Sequence, residues 1–397
     1  MDVLPDVQRE LARVGLDGWL VYDFRGSNPV ARPLLDPLLA GNLATRRVFL
    51  MIPATGRPTL LVHAIEHGTL RPDLEEVYGV TARRYSSTES LDAELRSLLA
   101  GMSRVAMEYS PGGDNPYVGT VDAGTVERVT GLGVEVVSSG DVAQVIELWT
   151  DEQLQQHLAA AEAVMAAKDA ALAFIAQRRR SGDEVRETAV QRVIGESFEA
   201  GGFVFDHAAT VGFAAHAGDP HYSPVPGVRD AVLADGDVVL LDLWCKVDAP
   251  RAPYADITWM GVVGEPKAAV QRAFDAVIAA RDAAFTSVAR AFDEGRWPAG
   301  AEADEAARAV LTQAGYGEAF FHRAGHSLGV NGAHGVAAHL DSFETRDLRR
   351  LRPGLGFTIE PGVYLPEFGI RSEINVYIDE DGPRATTDLQ ADLDVLP

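Results

Sequence analysis

The sequence predicts two domains, an N-terminal α/β domain followed by an α+β domain with a curved, largely antiparallel sheet. A length of 397 residues is enough for two domains with a sizeable core. Helical and strand patterns alternate over residues 1–149, which is typical of an α/β domain. From Thr150 a long Ala-rich helical pattern begins, and clusters of strands then lie between helices. We therefore predict domains at 1–149 and 150–397.

In the first domain, apolar periodicity predicts helices at 7–14 and 91–100. Short β-branched and aromatic runs bounded by turn residues predict strands. These strands are expected at 18–23, 47–53, 59–63 and 104–109.

In the second domain, a helix is predicted at 150–179, with Thr150 or Asp151 as its N-cap. Asp183 is expected to cap a second helix that ends at Gly201 and Gly202. Two further helices are predicted at 266–292 and 301–313, and strands near 203–213, 237–247, 254–263, 356–360 and 370–378.

Composition narrows the class of protein. With 47% hydrophobic and 23% charged residues, the chain has the make-up of a soluble globular protein. A net charge of −23 argues against nucleic acid and anionic membranes as partners, because both are bound through Lys and Arg. We see no secretory signal and no membrane-spanning run. The single cysteine, Cys245, excludes an intrachain disulfide, is expected in the core and suits a cytoplasmic location.

A carboxylate stands inside an apolar strand in the segment Val238-Val-Leu-Leu-Asp242-Leu-Trp244. A buried charge is costly unless it is paired or binds a metal. Asp242 is therefore a candidate metal ligand; alternatively it caps a turn or pairs with Lys246.

A second strand begins Tyr254-Ala-Asp256. The loop between the two strands is consistent with a hairpin, which would place Asp242 and Asp256 on neighbouring strands. Asp248 is the competing acid, but it lies in the loop, where we expect it to be solvated.

The C-terminal region contributes one histidine and two glutamates. His326 stands between glycines in Ala324-Gly-His326-Ser-Leu-Gly329, and glycines allow close backbone approach. Glu360 and Glu373 lie on two predicted strands joined by a Pro/Gly-rich turn. Alternation places both on the polar face of that hairpin. The alternative is an amphipathic hairpin with a solvated polar face.

If these four acids and His326 converge, they suit two hard divalent ions, because the four negative charges offset two dications. Two ions about 3.5–4 Å apart clamp both partners of a hydrolytic displacement. Oxygen-rich ligands favour Mn²⁺, with Zn²⁺ or Co²⁺ as alternatives.

The five positions, in the order Asp, Asp, His, Glu, Glu, resemble the ligand set of the pita-bread metallopeptidases. This family includes prolidase, aminopeptidase P, methionine aminopeptidase and the metal-free creatinase. Gly-His326-Ser-Leu-Gly, Ile-Glu360-Pro-Gly and Arg371-Ser-Glu373 are similar to three of its motifs. The resemblance covers most of residues 150–380 and implies a pita-bread catalytic domain. Residues 1–149 are similar in size and order to the creatinase/prolidase N-terminal domain.

The resemblance also implies roles for the ligands. Asp242 would chelate one metal, Asp256 and Glu373 would bridge both, and His326 and Glu360 would complete the other. A hydroxide between the metals would attack the peptide carbonyl. Glu360 would also shuttle a proton.

Three more residues gain roles from the resemblance. His221, in Asp219-Pro-His221-Tyr-Ser-Pro, and His334, in Asn331-Gly-Ala-His334-Gly, resemble two active-site histidines that steady the oxyanion or the leaving group. Arg371 is expected to bind substrate. His207, His216 and His339 have no comparable match and are interpreted as structural.

The sequence departs from the family pattern at three places. The usual position of the second Asp, eleven residues after the first, is Pro253, so Asp256 implies a longer hairpin loop. His334 comes one residue later than usual, and Ile374 follows the last Glu in place of Asp. These shifts affect the substrate pocket more than the metal ligands.

The function that the resemblance implies is a dinuclear Xaa-Pro dipeptidase acting on small peptides with proline in second position, as a homodimer. Aminopeptidase P, which accepts longer peptides, is the nearest alternative, and no residue decides between them. A creatinase-like hydrolase or a non-catalytic binding module is disfavoured, because all five ligands are retained.

Overall fold

The computed structural model describes residues 3–42 and 44–397. The chain divides into two compact units, Met1–Glu147 and Leu148–Pro397. The break lies just before Thr150, the N-cap of the longest helix.

The first unit is built on a mixed six-stranded sheet in the order β4-β3-β2-β1-β5-β6. Its helices are α1 (Leu4–Arg13), α2 (Arg32–Leu35), α3 (Leu74–Tyr78), α4 (Thr88–Leu98), α5 (Ala123–Thr130) and α6 (Gly140–Ala143). Its strands are β1 (Gly18–Phe24), β2 (Arg47–Pro53), β3 (Thr59–His63), β4 (Thr81–Tyr85), β5 (Arg104–Met107) and β6 (Glu135–Ser138).

Both faces of this sheet are covered. Trp19 and Val21 of β1 belong to one apolar core, whereas Leu20 and Tyr22 belong to another. Alternation along a strand produces this division. The strands predicted at 18–23, 47–53, 59–63 and 104–109 and the helices predicted at 7–14 and 91–100 are confirmed, with ends shifted by a few residues.

The second unit combines four helices with a larger set of strands. The helices are α7 (Asp151–Arg180), α8 (Glu187–Ala200), α9 (Ala268–Asp293) and α10 (Gly300–Gln313). The strands are β7 (Phe203–Val204), β8 (Thr210–Phe213), β9 (Val238–Val247), β10 (Ala255–Val263), β11 (Gly356–Ile359), β12 (Gly362–Tyr364), β13 (Gly369–Arg371), β14 (Ile374–Asp379), β15 (Gly382–Ala385) and β16 (Asp394–Leu396).

The helix starts in this unit follow different rules. The Thr150 hydroxyl accepts the N–H of Gln153 in a capping box, as predicted for α7. The prediction that Asp183 caps α8 is wrong, because the N-cap is Arg186 and its side chain forms no capping bond. A β-bridge between Arg186 and Val232 holds the chain extended up to that point.

The main sheet has the order β16-β10-β9-β7, and β8 also pairs with β9. The predicted β9–β10 hairpin is confirmed. The single strand predicted at 203–213 is wrong: β7 and β8 are separate and pair with different parts of β9. Leu241 and Leu243 of β9 lie in the core that includes α7 and α8, whereas Leu240 lies in the core that includes α9 and α10.

The predicted C-terminal hairpin is interrupted at its centre. β11 pairs with β14 up to Ile359 and Ile374, and β12 pairs with β13 from Gly362 and Arg371. Pro361 lies in the gap and cannot donate a ladder hydrogen bond. The alternative of a solvated polar face is also wrong, because Arg371 and Glu373 are only 5% and 3% exposed.

Cys245 is buried in the core beneath α7, as predicted, and is a free thiol. Within the described part of the chain, none of the helices combines the length and the apolar character needed to cross a bilayer.

Candidate metal centre

The floor of the site is one face of the β9–β10 hairpin. Asp242 lies opposite Thr258, and Trp244 lies opposite Asp256. Residues directly opposite in an antiparallel pair, and residues two apart on one strand, point to the same face. These four side chains therefore share a face, and the predicted placement of Asp242 and Asp256 on neighbouring strands is confirmed.

His326 enters the site on a segment held tightly by its neighbours. Its N–H donates to the hydroxyl of Thr358 at 3.1 Å, and its carbonyl accepts the N–H of Thr358 at 2.8 Å. Gly325 is required here, because a Cβ at this position would collide with the carbonyl oxygen of Thr358. The imidazole Nδ1 lies 3.0 Å from the carbonyl oxygen of Ser327, which can only accept. Nε2 therefore carries the lone pair that faces the site.

Glu360 and Glu373 stand at the interruption of the C-terminal hairpin, one on each side. Ser372 N–H donates to the carbonyl of Pro361, and Glu373 N–H donates to the carbonyl of Thr258 at 3.2 Å. The break thus redirects the backbone toward β10. Both glutamate carboxylates then approach the ring of His326.

The four side chains converge on one point. His326 Nε2 lies 3.7 Å from Asp256 Oδ2, 3.6 Å from Glu360 Oε1 and 3.9 Å from Glu373 Oε1. Ligand atoms of Asp256, His326 and Glu373 all lie within 4.8 Å of one another, and all three residues are buried. These separations exceed a hydrogen bond but suit atoms that share an ion.

Two buried oxygen atoms in this group indicate that a metal ion fits the site. Asp256 Oδ1 and Glu373 Oε1 are buried and have no hydrogen-bond partner. Leaving a buried carboxylate oxygen unsatisfied is costly, and a divalent ion would satisfy both. The donor set of carboxylates and one imidazole therefore fits a divalent metal.

Asp242 is held by a different partner from the one expected. Its Oδ2 accepts from Nη2 of Arg371, so the alternative in which it pairs with Lys246 is wrong. Lys246 Nζ instead donates to the carbonyl of Val330 at 2.8 Å. Asp242 and Glu360 are the more accessible acids, with side chains 15% and 14% exposed.

Thr258 links the two ends of this network. Arg371 Nε donates to the Thr258 hydroxyl at 2.8 Å, and that hydroxyl donates to Glu373 Oε2 at 2.9 Å. Asp242, Arg371, Thr258 and Glu373 thus form a continuous hydrogen-bonded chain. The orientation of two candidate ligands depends on one guanidinium.

Burial is the largest cause of the pKa shifts of the candidate ligands. Desolvation, and then the neighbouring carboxylates, raise the pKa of Asp256 and of Glu373 well above the usual range of a carboxyl group. Desolvation also lowers the pKa of His326 to about 3, so its imidazole is neutral. Neutral imidazole is the form that binds metals, and an ion entering the site would displace the carboxyl protons.

The two additional histidines differ in their settings. The ring of His334 lies 4.0 Å from the ring of His326, and solvent reaches part of it. Repulsion from His326 when that ring is protonated, and then desolvation, lower the pKa of His334 to about 3, so this ring is also neutral. His221 is exposed, and its N–H donates to Asp219 Oδ1 at 3.0 Å. His221 is near enough to Asp242 and His334 to affect the pKa of each.

Two polar side chains near Arg371 were not predicted from the sequence: Tyr364, which contacts Arg371, and His322, which contacts Tyr364. The Tyr364 hydroxyl lies 2.8 Å from His322 Nε2 and 3.3 Å from Arg371 Nη1. Burial raises the pKa of Tyr364 to about 12. The sequence signal that could have identified them is their closeness to candidate ligands. His322 precedes His326 by four residues, and Tyr364 follows Glu360 by four.

The histidines interpreted as structural lie outside this group. His216 Nδ1 lies 2.9 Å from Glu187 Oε1 at the start of α8. His339 accepts the N–H of Ser327 at 3.1 Å. His207 is exposed and lies 3.5 Å from Asp206.

Comparisons with known proteins find a family model, related sequences and a solved structure of similar fold. The family model described as metallopeptidase family M24 matches residues 155–380. A protein named "Probable dipeptidase PepE" from Mycobacterium tuberculosis is 26% identical over 357 residues, 89% of this chain and 86% of that protein. An Xaa-Pro dipeptidase from Pyrococcus furiosus is 30% identical over 176 residues, 44% of this chain and 47% of that protein. The crystal structure of dipeptidase PepE from Mycobacterium ulcerans superposes with a TM-score of 0.70 and 24% identity, covering 100% of this chain and 97% of that one.

Proposed function

We propose that this chain, which belongs to metallopeptidase family M24 and is a metallo-exopeptidase with the pita-bread fold, is a dinuclear Xaa-Pro dipeptidase. Relatives named as dipeptidases support small peptides as the substrate class. The observation that carries the proposal is the convergence of Asp256, His326 and Glu373 with two unsatisfied buried carboxylate oxygens.

Five residues would hold the ions. We assign Asp242, Asp256, His326, Glu360 and Glu373 as the residues that would hold the ions, and Mn²⁺ would be preferred because the ligands are mainly oxygen. When bound, the ions would supply a nucleophile at neutral pH by lowering the pKa of water, and would polarise the peptide carbonyl.

The remaining chemistry belongs to side chains of the chain itself. Arg323 Nη2 lies 3.1 Å from His334 Nδ1, and a guanidinium can only donate. His334 Nδ1 therefore accepts, and the proton of the neutral ring is on Nε2. We assign this N–H, together with His221, to steadying the developing oxyanion or the leaving group.

Glu360 is suited to moving a proton. Its carboxylate is half-buried and accepts from the Thr358 hydroxyl at 3.3 Å. It lies 3.6 Å from His326 Nε2, so it reaches the reacting centre while remaining open to substrate. We assign it to carry the proton from the nucleophile to the leaving amine.

Arg371 is a buried cation that contacts the carboxylate of Asp242. Its three nitrogens contact Asp242, Thr258 and Tyr364, so its role is to orient Asp242 and to attract the substrate carboxylate. Proline in second position would present a rigid ring and a tertiary amide.

The test uses chelator-stripped protein refilled with Mn²⁺ and offered Ala-Pro and Ala-Pro-Ala together. We expect free alanine from Ala-Pro alone and two ions per chain by elemental analysis. Alanine from the tripeptide would instead indicate aminopeptidase P. Cleavage of neither, with two ions bound, would contradict the proposed substrate class.

A homodimer and a cytoplasmic location are part of the same proposal and rest on the family resemblance and the low cysteine content. Light scattering of the purified chain tests the dimer, and fractionation of the producing cells tests the location.

A further inference from the structure

Trp244 stands on the same strand face as the candidate ligands. It follows Asp242 by two residues on β9 and lies directly opposite Asp256 of β10. Its neighbours Leu243 and Cys245 point to the other face and are buried in the core beneath α7. The indole is half-buried, so part of its surface remains available to a ligand.

Asp206 holds this indole in place. Trp244 Nε1 donates to Asp206 Oδ1 at 2.6 Å, a short and charge-assisted hydrogen bond. The pairing of Val204 with Lys246 brings the chain after β7 alongside Trp244. Because its N–H is bonded, the indole presents an apolar ring surface.

The first side chain of a dipeptide and its free amino group are attached to the same Cα atom. The protonated amino group is attracted to the acids of the metal centre, which include Asp256. Trp244 lies directly opposite Asp256 on the same face of the hairpin, about 7 Å along β9 from Asp242 at 3.4 Å per residue. A bound dipeptide therefore places its first side chain beside Trp244.

We propose that Trp244, oriented by Asp206, is the wall of the subsite for the first side chain of the substrate, and that it selects apolar side chains large enough to cover the indole, such as leucine or methionine. This inference rests on the proposed peptidase function of the adjacent metal centre. Asp206 is a positioning residue, because it acts through the indole. If Trp244 were purely structural, its substitution would lower kcat/KM equally for every substrate. If it forms a subsite wall, the loss of kcat/KM depends on the first side chain of the substrate.

The experiment compares the wild-type chain, loaded with Mn²⁺, with Trp244→Ala, Trp244→Phe and Asp206→Asn on Gly-Pro, Leu-Pro and Lys-Pro. We expect Trp244→Ala to lower the ratio of kcat/KM for Leu-Pro over Gly-Pro about tenfold, within the range that an apolar contact supplies. Trp244→Phe should keep most of the ratio, and Asp206→Asn should lose part of it. Trp297→Phe, a half-buried tryptophan that contacts Arg352, is the control and should leave the ratio unchanged.

Three results would each overturn the subsite. They are an equal loss of kcat/KM on Gly-Pro and Leu-Pro, an unchanged Leu-Pro to Gly-Pro ratio of kcat/KM in Trp244→Ala, and a preference of the wild-type chain for Lys-Pro. A second measurement separates the subsite from the proposed function: calorimetric binding of Leu-Pro and Gly-Pro to Mn²⁺-loaded His334→Ala, which is expected to keep its metal, with and without Trp244→Ala. If no dipeptide is cleaved but Leu-Pro binds more tightly only when Trp244 is present, the proposed function fails and the subsite stands. Equal binding in both variants overturns the subsite.

Discussion

The guanidinium of Arg371 is bonded to the carboxylate of Asp242, although the two residues are 129 positions apart in the chain. The same guanidinium donates to Thr258, which in turn donates to Glu373. One cation therefore orients candidate ligands on two different strands. This contact therefore links the arrangement of the candidate metal ligands to the geometry of the C-terminal hairpin that carries Arg371.

Arg371→Lys keeps the positive charge but removes the planar guanidinium group with its several N–H donors. A lysine ammonium cannot contact Asp242, Thr258 and Tyr364 in the same planar arrangement. We expect kcat to fall about 10–100-fold, as for other residues that orient metal ligands, while two ions remain bound. Elemental analysis and steady-state kinetics measure both quantities; an unchanged kcat would show that the link is dispensable.

Glu373→Gln tests the most deeply buried carboxylate ligand. The substitution keeps the shape but removes the charge that a divalent ion requires, so we expect loss of metal and at least a 100-fold loss of activity. Glu367→Gln is the matched control, since Glu367 is exposed on the loop of the same hairpin. Full activity of Glu373→Gln with intact metal content would contradict the ligand assignment.

Metal loading should release protons. Burial raises the pKa of Asp256 and Glu373 in the metal-free protein above their values in the unfolded chain. The native state then binds more protons than the unfolded state, so metal-free stability falls as pH rises through these raised pKa values. Mn²⁺ binding removes this dependence and at about 100 times Kd adds about 2.7 kcal/mol. Calorimetry in buffers of different ionisation enthalpy measures the protons; the same heat in every buffer would contradict the expectation.

His334→Ala should reduce kcat about 10²–10³-fold with little change in KM, because the assigned Nε2–H donor acts on the developing charge. His334→Gln retains a donor and should recover part of the loss. Metal content should stay constant in both variants. A change confined to KM would indicate that His334 contributes only to substrate binding.

His157, a buried residue outside the set of candidate ligands, makes stability depend on pH. Its Nδ1 lies 2.9 Å from the carbonyl oxygen of Tyr254 and its Nε2 lies 2.7 Å from the Thr386 hydroxyl. Burial lowers its pKa to about 4. The unfolded state therefore binds the proton first, and stability present above pH 6.5 is lost as pH falls toward 4, by about 3 kcal/mol.

His157→Gln should remove this component from the pH dependence of the free energy of unfolding, measured by urea denaturation between pH 4 and 7. His67→Gln is the control, because His67 is exposed in the other unit. An identical pH dependence in wild-type and His157→Gln would show that the buried ring is not the source.

Local patterns in the sequence were sufficient for most elements of the fold. The cap of α7 at Thr150, the β9–β10 hairpin and the strands of the first unit follow from capping residues and from apolar periodicity, which are set by neighbours in the chain. The predicted hairpin also placed Asp242 and Asp256 on neighbouring strands. Five candidate ligands could be named because their residue types and order resemble those of a known family.

Tertiary structure decided the contacts between distant segments. The pairing of Asp242 with Arg371 rather than Lys246, the break between Glu360 and Glu373, and the separation of β7 from β8 depend on which surfaces pack together. Alternation specifies the face of a side chain but not the partner that meets it there. The two unsatisfied oxygens of the metal centre and the seating of Trp244 against Asp206 likewise became visible only when segments far apart in the chain were brought within a few ångströms.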